Sequence, residues 1–287
     1  MAGRVVLFGA TGFTGRLAAE AMARAGLAPV LAGRDATALM HLVGDLAGLG
    51  PMDAAPTWQA ADASDPASVR ALIHGGDDVL VSTVGPFNRL GRAAVDAAVD
   101  AGCGYVDSTG ESTFIQQVFE QDGPRAQASG ARLLTAFGYD YVPGNLAGAL
   151  AIRQARASGG TPSSVEIGYF VRGGMAMSSG TRASVAGMLG SVPFAFRGGQ
   201  VVSIGAGVAT FDVGGKHLDA MAVGSSEAFA LPRLDRAVVD VTTYLGWAGK
   251  WTRAASRASN ATSAAFRVPG VRSLAATGVR RMSGDVT

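Results

Sequence analysis

Short apolar runs alternate with longer amphipathic segments through the first half of the chain. The apolar runs have the length of buried strands and lie at Val5–Gly9, Pro29–Ala32, Thr57–Ala61, Val79–Val84, Tyr105–Asp107 and Arg132–Phe137. Helical patterns separate them at Gly15–Ala25, Ala36–Leu49, Gly91–Ala101 and Thr113–Ser129, and Ser64 and Asp65 suit the cap of a further helix at Pro66. This alternation predicts an α/β fold, a Rossmann-type doubly wound parallel sheet with helices on both faces.

The pattern changes near residue 145. Asn145–Ala157 is predicted to be one more helix, and the segments SSVEIGYFVRG, AFRGGQVVSIG and VATFDVGG have the pattern of antiparallel strands separated by glycine turns. TRASVAGML is predicted to be a helix among them, and Trp251–Ser283 a helical tail interrupted at Pro269. We therefore predict a Rossmann domain over residues 1–145, followed by a second α+β domain over 146–287 that binds a substrate or partner.

Three glycines with regular spacing, Gly9, Gly12 and Gly15, lie where the first strand passes into the first helix. In such a turn the first glycine permits the tight bend, the second lets a pyrophosphate approach the backbone, and the third lets helix and strand pack closely. The phosphates then meet free N–H groups at the helix N-terminus. Because the motif lies within a strand–helix–strand unit, it predicts a dinucleotide site. The alternative is a glycine-rich turn with a structural role only.

The residue after the second strand distinguishes between the two nicotinamide dinucleotides. An NAD site usually carries an acidic residue there, whereas this chain has Arg34, whose guanidinium can pair with the 2′-phosphate of NADP. Gly33 leaves room for the phosphate, and Arg16 could assist from the start of the first helix. The alternatives are that Asp35 supplies the acid, or that Arg34 is a solvated surface charge. We expect NADP to be the cofactor.

Two further loops are expected to border the cofactor. Asp62 follows the third strand and can accept a hydrogen bond from an adenine amino group, or it can be an acid of the loop that leads into the next helix. The fourth strand runs into STVGPFNRLG, at the edge of the sheet where ligands of such folds bind. Gly85 and Pro86 would form a backbone turn near the nicotinamide ribose. Phe87 would cover the nicotinamide ring, unless it packs in the core.

Composition narrows the function without defining it. The 287 residues are 48% hydrophobic with a net charge of +2, so no global charge favours nucleic acid. The single cysteine, Cys103, excludes an intramolecular disulfide, and the three histidines lack the spacing of metal ligands, so we expect no metal site. The N-terminus has no signal-peptide pattern, and no apolar run reaches the roughly 18 residues of a membrane span. A cytoplasmic protein is expected.

Several catalytic arrangements do not fit the sequence. No tyrosine is followed four residues later by lysine, which a short-chain dehydrogenase would need. Cys103 lies at a helix end with no histidine nearby, so it is expected to be a small buried residue and not a nucleophile. The sequence suggests no Ser-His-Asp arrangement either. These observations favour a reaction in which a cofactor performs the difficult step and the protein positions the substrate.

A set of motifs over roughly residues 3 to 190 is shared with one family. GATGFTGR, LAGR, VGPF, AAVDAGCGYVDSTGE, FGYDYVPGNLAGALA and SSGTRASVAGM occur in that order. Together they resemble the saccharopine dehydrogenase-like oxidoreductases, and in particular the bacterial branch that includes trans-acting enoyl reductases of polyketide-lipid synthesis. The resemblance implies an NADPH-binding Rossmann domain in which the cofactor is held by Gly9, Thr11, Gly12, Phe13, Thr14, Gly15 and Arg34. Longer members continue past RRMSGDVT, so we expect a short version or one without the C-terminal part.

The resemblance places GYDYVPG at the carboxyl edge of the last parallel strand, near the nicotinamide. There Tyr139, Asp140 and Tyr141 are the side chains best suited to supply a proton or orient a carbonyl group. The alternative for each tyrosine is a core position with its hydroxyl hydrogen-bonded. These three residues are the catalytic candidates.

Three functions remain open at this point. The first is NADPH-dependent reduction of an activated C=C bond of an acyl substrate, with hydride added at the β-carbon and a tyrosine or water protonating the α-carbon. The apolar residues 183–196 would line its substrate, or would simply be core. The second is a saccharopine-type dehydrogenase acting on a C=N bond, for which Arg172 and Arg182 are the evident cationic partners early in the second domain. The third is a non-catalytic NADP-binding protein that signals redox state.

The tail is basic throughout. From Val241 to Gly284 the chain has no acidic residue and seven basic ones, namely Lys250, Arg253, Arg257, Arg267, Arg272, Arg280 and Arg281. Trp247, Trp251 and Phe266 lie among them. Such a segment can dock an acidic acyl carrier protein or lie on an anionic membrane surface. The alternative is a solvated helix face packed on the second domain. A homo-oligomer is compatible with the sequence as well.

Overall fold

A computed structural model describes residues 3–52, 54–170, 192–246 and 249–265. Among these residues the chain divides into two compact units, one ending at Asn145 and the other beginning at Leu146. The predicted helix TRASVAGML and the tail beyond residue 265 lie outside the described residues. No helix in the described part of the chain is both long and apolar enough to cross a membrane.

The first unit contains a six-stranded parallel sheet with the strand order β3-β2-β1-β4-β5-β6. Its strands are β1 Val5–Phe8, β2 Val30–Gly33, β3 Thr57–Ala60, β4 Val79–Ser82, β5 Gly104–Asp107 and β6 Arg132–Leu134. This order is that of the doubly wound Rossmann fold, in which the winding direction reverses between β1 and β4. The predicted fold class is therefore confirmed.

Both faces of the four central strands of this sheet are buried, as the apolar runs predict. Val6 and Phe8 of β1 lie on one face in a core that includes Leu80 and Tyr105. Leu7 faces the opposite way, into a second core with Leu31 and with residues of the helices that follow β1 and β2. Because successive side chains of a strand point to opposite faces, a run without polar residues is needed where helices cover both sides.

The connecting helices match the predicted pattern, with shifted ends. They are α1 Phe13–Arg24, α2 Ala36–Leu46, α3 Pro66–Arg70, α4 Phe87–Leu90, α5 Arg92–Ala101, α6 Ser112–Gln117 and α7 Gly123–Ser129. The single helix predicted over Thr113–Ser129 is wrong in one respect, because a π-helical turn at Val118–Asp122 separates α6 from α7. In this turn the buried Asp122 carboxylate accepts hydrogen bonds from Arg92 (2.6 Å) and Arg125 (2.9 Å).

The last parallel strand is shorter than predicted. β6 ends at Leu134, not at Phe137, because Ala136 adopts a φ of 59° and leaves the extended conformation. The helix α8 Val142–Ala157 then spans the boundary between the two units at residue 145.

The second unit is built on a sheet with the order β10-β11-β12-β8-β9, and β7 also pairs with β12. Its elements are β7 Ser164–Tyr169, β8 Phe194–Arg197, β9 Gln200–Ser203, β10 Val208–Asp212, β11 His217–Val223, the helix α9 Glu227–Leu234, β12 Asp240–Leu245, a 3-10 turn at Gly249–Trp251 and the helix α10 Thr252–Ala265. The predicted α+β character is confirmed, and β8 and β9 form an antiparallel hairpin through Gly198 and Gly199.

One pairing differs from the prediction. β7 runs parallel to β12, with Ser164 opposite Asp240, whereas the sequence suggested an antiparallel strand. The alternation of side chains along a strand does not encode the direction of its neighbour, which here lies far along the chain. β11 and β12 were not predicted at all.

Candidate functional site

The carboxyl ends of β1 and β4 lie side by side where the strand order reverses. The two strands pair in parallel, with Phe8 opposite Ser82. In open α/β sheets, ligands bind in the crevice at this edge. The loops after β1, β2, β3 and β4, together with the first residues of α1 and α4, contain all the residues predicted to hold a cofactor.

The three glycines of the first loop have different structural roles. Gly9 has a φ of 89°, and a Cβ there would lie 2.7 Å from Oγ1 of Thr83. A Cβ on Gly15 would lie only 2.1 Å from the carbonyl oxygen of Gly9, so α1 rests directly on the turn. A Cβ on Gly12 would meet only that same oxygen, at 3.3 Å. Gly9 and Gly15 are therefore required by the fold, whereas Gly12 leaves space that a ligand can use.

The N-terminus of α1 is suited to an anion. Gly12 is its N-cap, with no side-chain cap and no acidic residue in the first turn. The first amide groups of a helix have no partner within the helix. Phe13 and Thr14 are exposed there, while Thr11 is half-buried, with Oγ1 3.7 Å from where a Cβ on Gly33 would lie. These backbone N–H groups can receive the pyrophosphate that the glycine spacing predicts.

Arg16 has a different partner from the one suggested. Its Nε donates a 3.3 Å hydrogen bond to the carbonyl oxygen of Thr11. The side chain is exposed, so this bond holds the turn after β1 without burying the guanidinium group. Its suggested contact with a 2′-phosphate stays a prediction.

Arg34 and Asp35 have distinct roles after β2. The carboxylate of Asp35 accepts a hydrogen bond from the backbone N–H of Ala38 at 3.0 Å and so caps α2. Arg34 is exposed, and no ion pair of the described residues involves it. The carboxylate of Asp35 thus serves as the cap of α2, while the guanidinium group of Arg34 remains available to an anion.

Asp62 lies in the neighbouring loop, after β3. Its Oδ1 accepts hydrogen bonds from the hydroxyl (2.7 Å) and the N–H (2.8 Å) of Ser64. These bonds lower the pKa of the carboxyl group, and the charge of Arg34 adds to the effect. These bonds fit the loop role of the alternative interpretation, and the contact of Asp62 with an adenine amino group stays a prediction. It also contributes negative charge close to Arg34.

Thr83 links the β4 loop to the glycine turn, and sequence reasoning missed it. Its Oγ1 lies 3.1 Å from the carbonyl oxygen of Gly9 and 3.2 Å from that of Phe8, and its N–H donates to Phe8 at 2.9 Å. A hydroxyl-bearing residue directly after the fourth apolar run was the only signal in the sequence.

The Gly85–Pro86 turn is present, but Phe87 does not fit its predicted role. The Gly85–Pro86 peptide bond is cis, and Phe87 begins α4. The ring of Phe87 is buried and packs on Phe114, with 5.5 Å between ring centroids. The structure therefore favours core packing, the alternative interpretation, over a ring that covers the nicotinamide.

Glu111, which the sequence analysis did not single out, holds this turn from the protein side. It is 4% exposed. Its Oε1 accepts a hydrogen bond from the N–H of Phe87 at 2.7 Å and its Oε2 one from the N–H of Asn88 at 2.9 Å. The carboxylate thus caps α4 from the loop after β5.

A second buried carboxylate joins the loops after β5 and β6. Asp107 accepts hydrogen bonds from the N–H groups of Thr109 and Ala136, both at 2.9 Å, and from the hydroxyl of Thr135 at 2.8 Å. Burial raises the pKa of Asp107, although these donors oppose the shift. The unusual φ of Ala136 belongs to this arrangement, since it is the same residue whose N–H reaches Asp107.

The three catalytic candidates are not brought together. Tyr141 is 4% exposed, and its hydroxyl donates a 3.2 Å hydrogen bond to the carbonyl oxygen of Gly110. Tyr139, by contrast, is 91% exposed. Tyr141 thus has the contacts of its alternative interpretation, a packed tyrosine with a bonded hydroxyl, and its catalytic role stays a prediction.

Asp140 lies between them in the chain and differs from both. The residue is solvent-exposed overall, yet protein atoms around its carboxyl group disfavour the charged form and raise its pKa. Its Oδ2 would be 2.9 Å from a Cβ on Gly110, so the carboxyl group lies against the loop after β5.

The remaining candidates are the cysteine, a metal site and several residues outside the described ranges. Cys103 is buried, and burial raises its pKa, as expected of a residue that is not a nucleophile. No cluster of His, Cys, Asp and Glu in the described ranges could hold a metal ion. Arg172, Arg182 and residues 183–191 lie outside those ranges, as do Trp247, Phe266, Arg267, Arg272, Arg280 and Arg281.

The described part of the basic tail is partly paired. Arg253 Nε lies 2.7 Å from Oδ2 of Asp219 on β11, while Arg257 is exposed and Trp251 is 66% exposed. The pairing of Arg253 fits a helix packed on its own unit, which was the alternative to a docking segment. Arg257 and Trp251 keep the docking hypothesis open.

Comparison with known proteins identifies similar mycobacterial reductases. A trans-acting enoyl reductase of Mycobacterium leprae is 39% identical over 146 residues, which are 50% of this chain and 34% of that protein. One of Mycobacterium tuberculosis is 38% identical over 144 residues, with 50% and 34% covered. The chain thus spans about a third of the length of the curated relatives it matches. No protein-family model matches it.

Solved structures match more weakly. A metagenomic short-chain oxidoreductase in complex with NADP is 18% identical with a TM-score of 0.34, over 53% of this chain and 90% of that one. A β-ketoacyl reductase of Bacteroides thetaiotaomicron is 11% identical with a TM-score of 0.36, over 47% of this chain and 79% of that one. Scores this low support no inference, and the fold is assigned from the strand order itself. Over half its length, the chain is similar to trans-acting enoyl reductases.

Proposed function

We propose that this protein is an NADPH-dependent oxidoreductase that reduces an activated C=C bond of an acyl substrate. The observation that carries the proposal is the open approach at Gly12, in front of an uncapped helix N-terminus. A Cβ at that position would occupy the space that a pyrophosphate needs. The similarity to trans-acting enoyl reductases supports the choice of substrate class.

The choice of NADPH over NADH rests on Arg34. Its exposed guanidinium group follows β2, and the nearest acid in sequence, Asp35, is engaged as a helix cap. A guanidinium group binds a phosphate through charge-assisted and often bidentate hydrogen bonds. We expect Arg34 to hold the 2′-phosphate, and Gly33 to leave room for it.

In the proposed reaction the bound cofactor supplies a hydride to the β-carbon of the substrate. The chain's own residues bind, orient and protonate. The loops after β1 and β4 hold the dinucleotide at the sheet edge, and a proton must reach the α-carbon. Asp140, whose pKa burial raises, and the exposed Tyr139 are the two side chains that we retain for this step, with water as the third source.

The two units have separate roles in this proposal. The unit that ends at residue 145 binds the cofactor, and the unit that follows binds the acyl substrate or a partner. An acyl chain tethered to an acidic carrier protein is the partner that the basic tail would suit. The exposed Arg257 and Trp251 support that hypothesis, and the paired Arg253 opposes it.

The experiment that tests the function is NADPH oxidation with 2-enoyl thioesters. We expect turnover with NADPH, much less with NADH, and a saturated thioester as the product by mass spectrometry. Two controls separate the alternatives. Oxidation of NADPH only with an imine formed from an amino acid and an oxo acid would indicate a saccharopine-type dehydrogenase. Tight NADPH binding without turnover of either substrate class would indicate a redox-signalling protein.

A further inference from the structure

The turn after β4 is clamped by the segment that follows β5. Glu111 binds the N–H groups of Phe87 and Asn88 through its two carboxylate oxygens, at 2.7 and 2.9 Å. Three residues further along the chain, the ring of Phe114 packs on the ring of Phe87. Both contacts act on the first turn of α4, one on its backbone and one on its side chain.

The clamp is made of buried groups. Glu111, Phe87 and Phe114 are 4%, 6% and 0% exposed. A carboxylate that accepts N–H bonds forms stronger bonds than a neutral acceptor does, and a helix N-terminus favours the negative charge. A buried carboxylate is costly unless it is hydrogen-bonded, so a movement of α4 away from Glu111 would cost two hydrogen bonds to a buried charge.

The clamped turn lies beside the proposed phosphate site. Thr83, at the start of the same loop, is hydrogen-bonded to the carbonyl oxygen of Gly9. In a doubly wound sheet the two halves of a dinucleotide lie on opposite sides of the switch point. With Arg34 after β2 assigned to the adenosine phosphate, the nicotinamide half would extend over the carboxyl ends of β4 and β5, and the Gly85–Asn88 turn would border it.

We propose that Glu111 is a positioning residue for the nicotinamide half of the cofactor. It touches no reacting atom. It acts by fixing the backbone of residues 85–88, against which the nicotinamide nucleotide would lie. The inference rests on the proposed function and assigns a role to Glu111, the last residue of the segment AAVDAGCGYVDSTGE, for which the resemblance implied none.

The test is Glu111→Gln, which conserves volume. Glutamine has a single acceptor oxygen, so one of the two N–H groups loses its partner and faces an amide NH2 instead. Affinity is measured for two ligands, NADPH and 2′,5′-ADP, which carries only the adenine half. We expect NADPH affinity to fall about tenfold, with a weaker NADPH fluorescence change on binding, while 2′,5′-ADP affinity changes less than about twofold.

Two control variants show whether a difference between the losses of NADPH and 2′,5′-ADP affinity is specific to Glu111. Arg34→Ala is expected to weaken both ligands, since both contain the 2′-phosphate. Asp122→Asn removes another buried carboxylate charge of the same unit, which pairs with Arg92 and Arg125 and not with the N–H groups of residues 85–88. It is expected to lower the melting temperature without separating the two ligands.

The other possible results would contradict either the role of Glu111 or the proposed function. Equal losses for NADPH and 2′,5′-ADP, or no loss for either, would overturn the role of Glu111 while leaving the cofactor proposal intact. A wild-type protein that binds neither ligand would overturn the proposed function itself. If the glutamine variant does not fold, Glu111→Asp replaces it. That variant keeps the charge but shortens the side chain by one methylene group. We then expect the same difference between the losses of NADPH and 2′,5′-ADP affinity, but a smaller one.

Discussion

The most informative perturbation is one substitution made twice in the same motif. Serine at Gly12 and serine at Gly15 add the same side chain, three residues apart, but the structure predicts opposite consequences. Gly12→Ser should retain the fold and lose the nucleotide. Gly15→Ser should lose stability even with no ligand present.

The predicted magnitudes follow from the space at each site. At Gly15 a Cβ would lie 2.1 Å from a backbone oxygen and 2.8 Å from the Cα of Ala10, so the backbone itself must move. Overpacking a filled site costs about 1–3 kcal/mol and occasionally more, and a backbone overlap belongs at the upper end. A loss of at least about 2 kcal/mol corresponds to a melting temperature lower by at least about 4 °C.

Gly12 presents no such obstacle. Its φ of −73° is open to any residue, and serine is a better helix cap than most side chains. We expect the free energy of unfolding to change by less than about 0.5 kcal/mol. The same side chain would intrude where the pyrophosphate approaches and would cap the amide groups that should bind it. NADPH affinity should therefore fall at least about tenfold, equivalent to about 1.4 kcal/mol.

Both variants are melted without ligand and titrated with NADPH by its fluorescence. The reasoning is refuted if Gly12→Ser binds NADPH like the wild type, because the open space would then not be the phosphate site. It is refuted as well if Gly15→Ser melts at the wild-type temperature, because the close approach of α1 to the turn would then be absent.

Three further predictions address charge. Arg34→Ala should weaken NADPH binding by about 1.5–3 kcal/mol and leave NADH almost unchanged in parallel titrations, and equal losses would make Arg34 structural. Burial raises the pKa of Asp78, but the side chain and N–H of Arg4 and a further backbone N–H outweigh this effect and lower it to about 2. A carboxyl group with a depressed pKa stabilises the fold above its ordinary pKa and loses this contribution as pH falls toward about 2. Asp78→Asn should therefore cost about 1–2 kcal/mol in urea unfolding at pH 7 and about half as much at pH 3, and a cost that does not change with pH would contradict the prediction. Reversing Arg280 and Arg281 to Glu should reduce association with an acidic carrier protein or anionic vesicles at low salt, measured by co-sedimentation, while NADPH binding persists. A wild type that associates with neither would leave the tail a structural element.

Much of the first unit could be predicted because its signals are local. Each predicted strand of that unit is a strand in the structure. The central strands are buried on both faces, which requires a continuous apolar run, whereas the edge strands β3 and β6 are largely exposed. The glycine spacing located the turn, and the position of Arg34 directly after β2 followed from the strand boundary. These features depend on residues within a few positions of each other in the chain.

The sequence could not predict which side chains would remain accessible. Phe87 and Tyr141 were plausible ligand contacts by position, and both are core residues. Their burial depends on Phe114 and on the loop at Gly110, which reach them from other elements. Tyr139, only two residues from Tyr141, is almost fully exposed. The local sequence does not record which of two neighbouring side chains other elements will cover.

By itself, the sequence determined the order of strands and helices in the first unit, the turn with its three glycines and the positive charge beside it. The tertiary structure alone decided the rest of the site. The hydrogen bonds of Glu111 to Phe87 and of Thr83 to Phe8 join residues 24 and 75 positions apart. Local periodicity records only which face of an element is buried. Which groups meet there depends on how the strands are ordered in the sheet, and that order exists only once the whole sheet has formed.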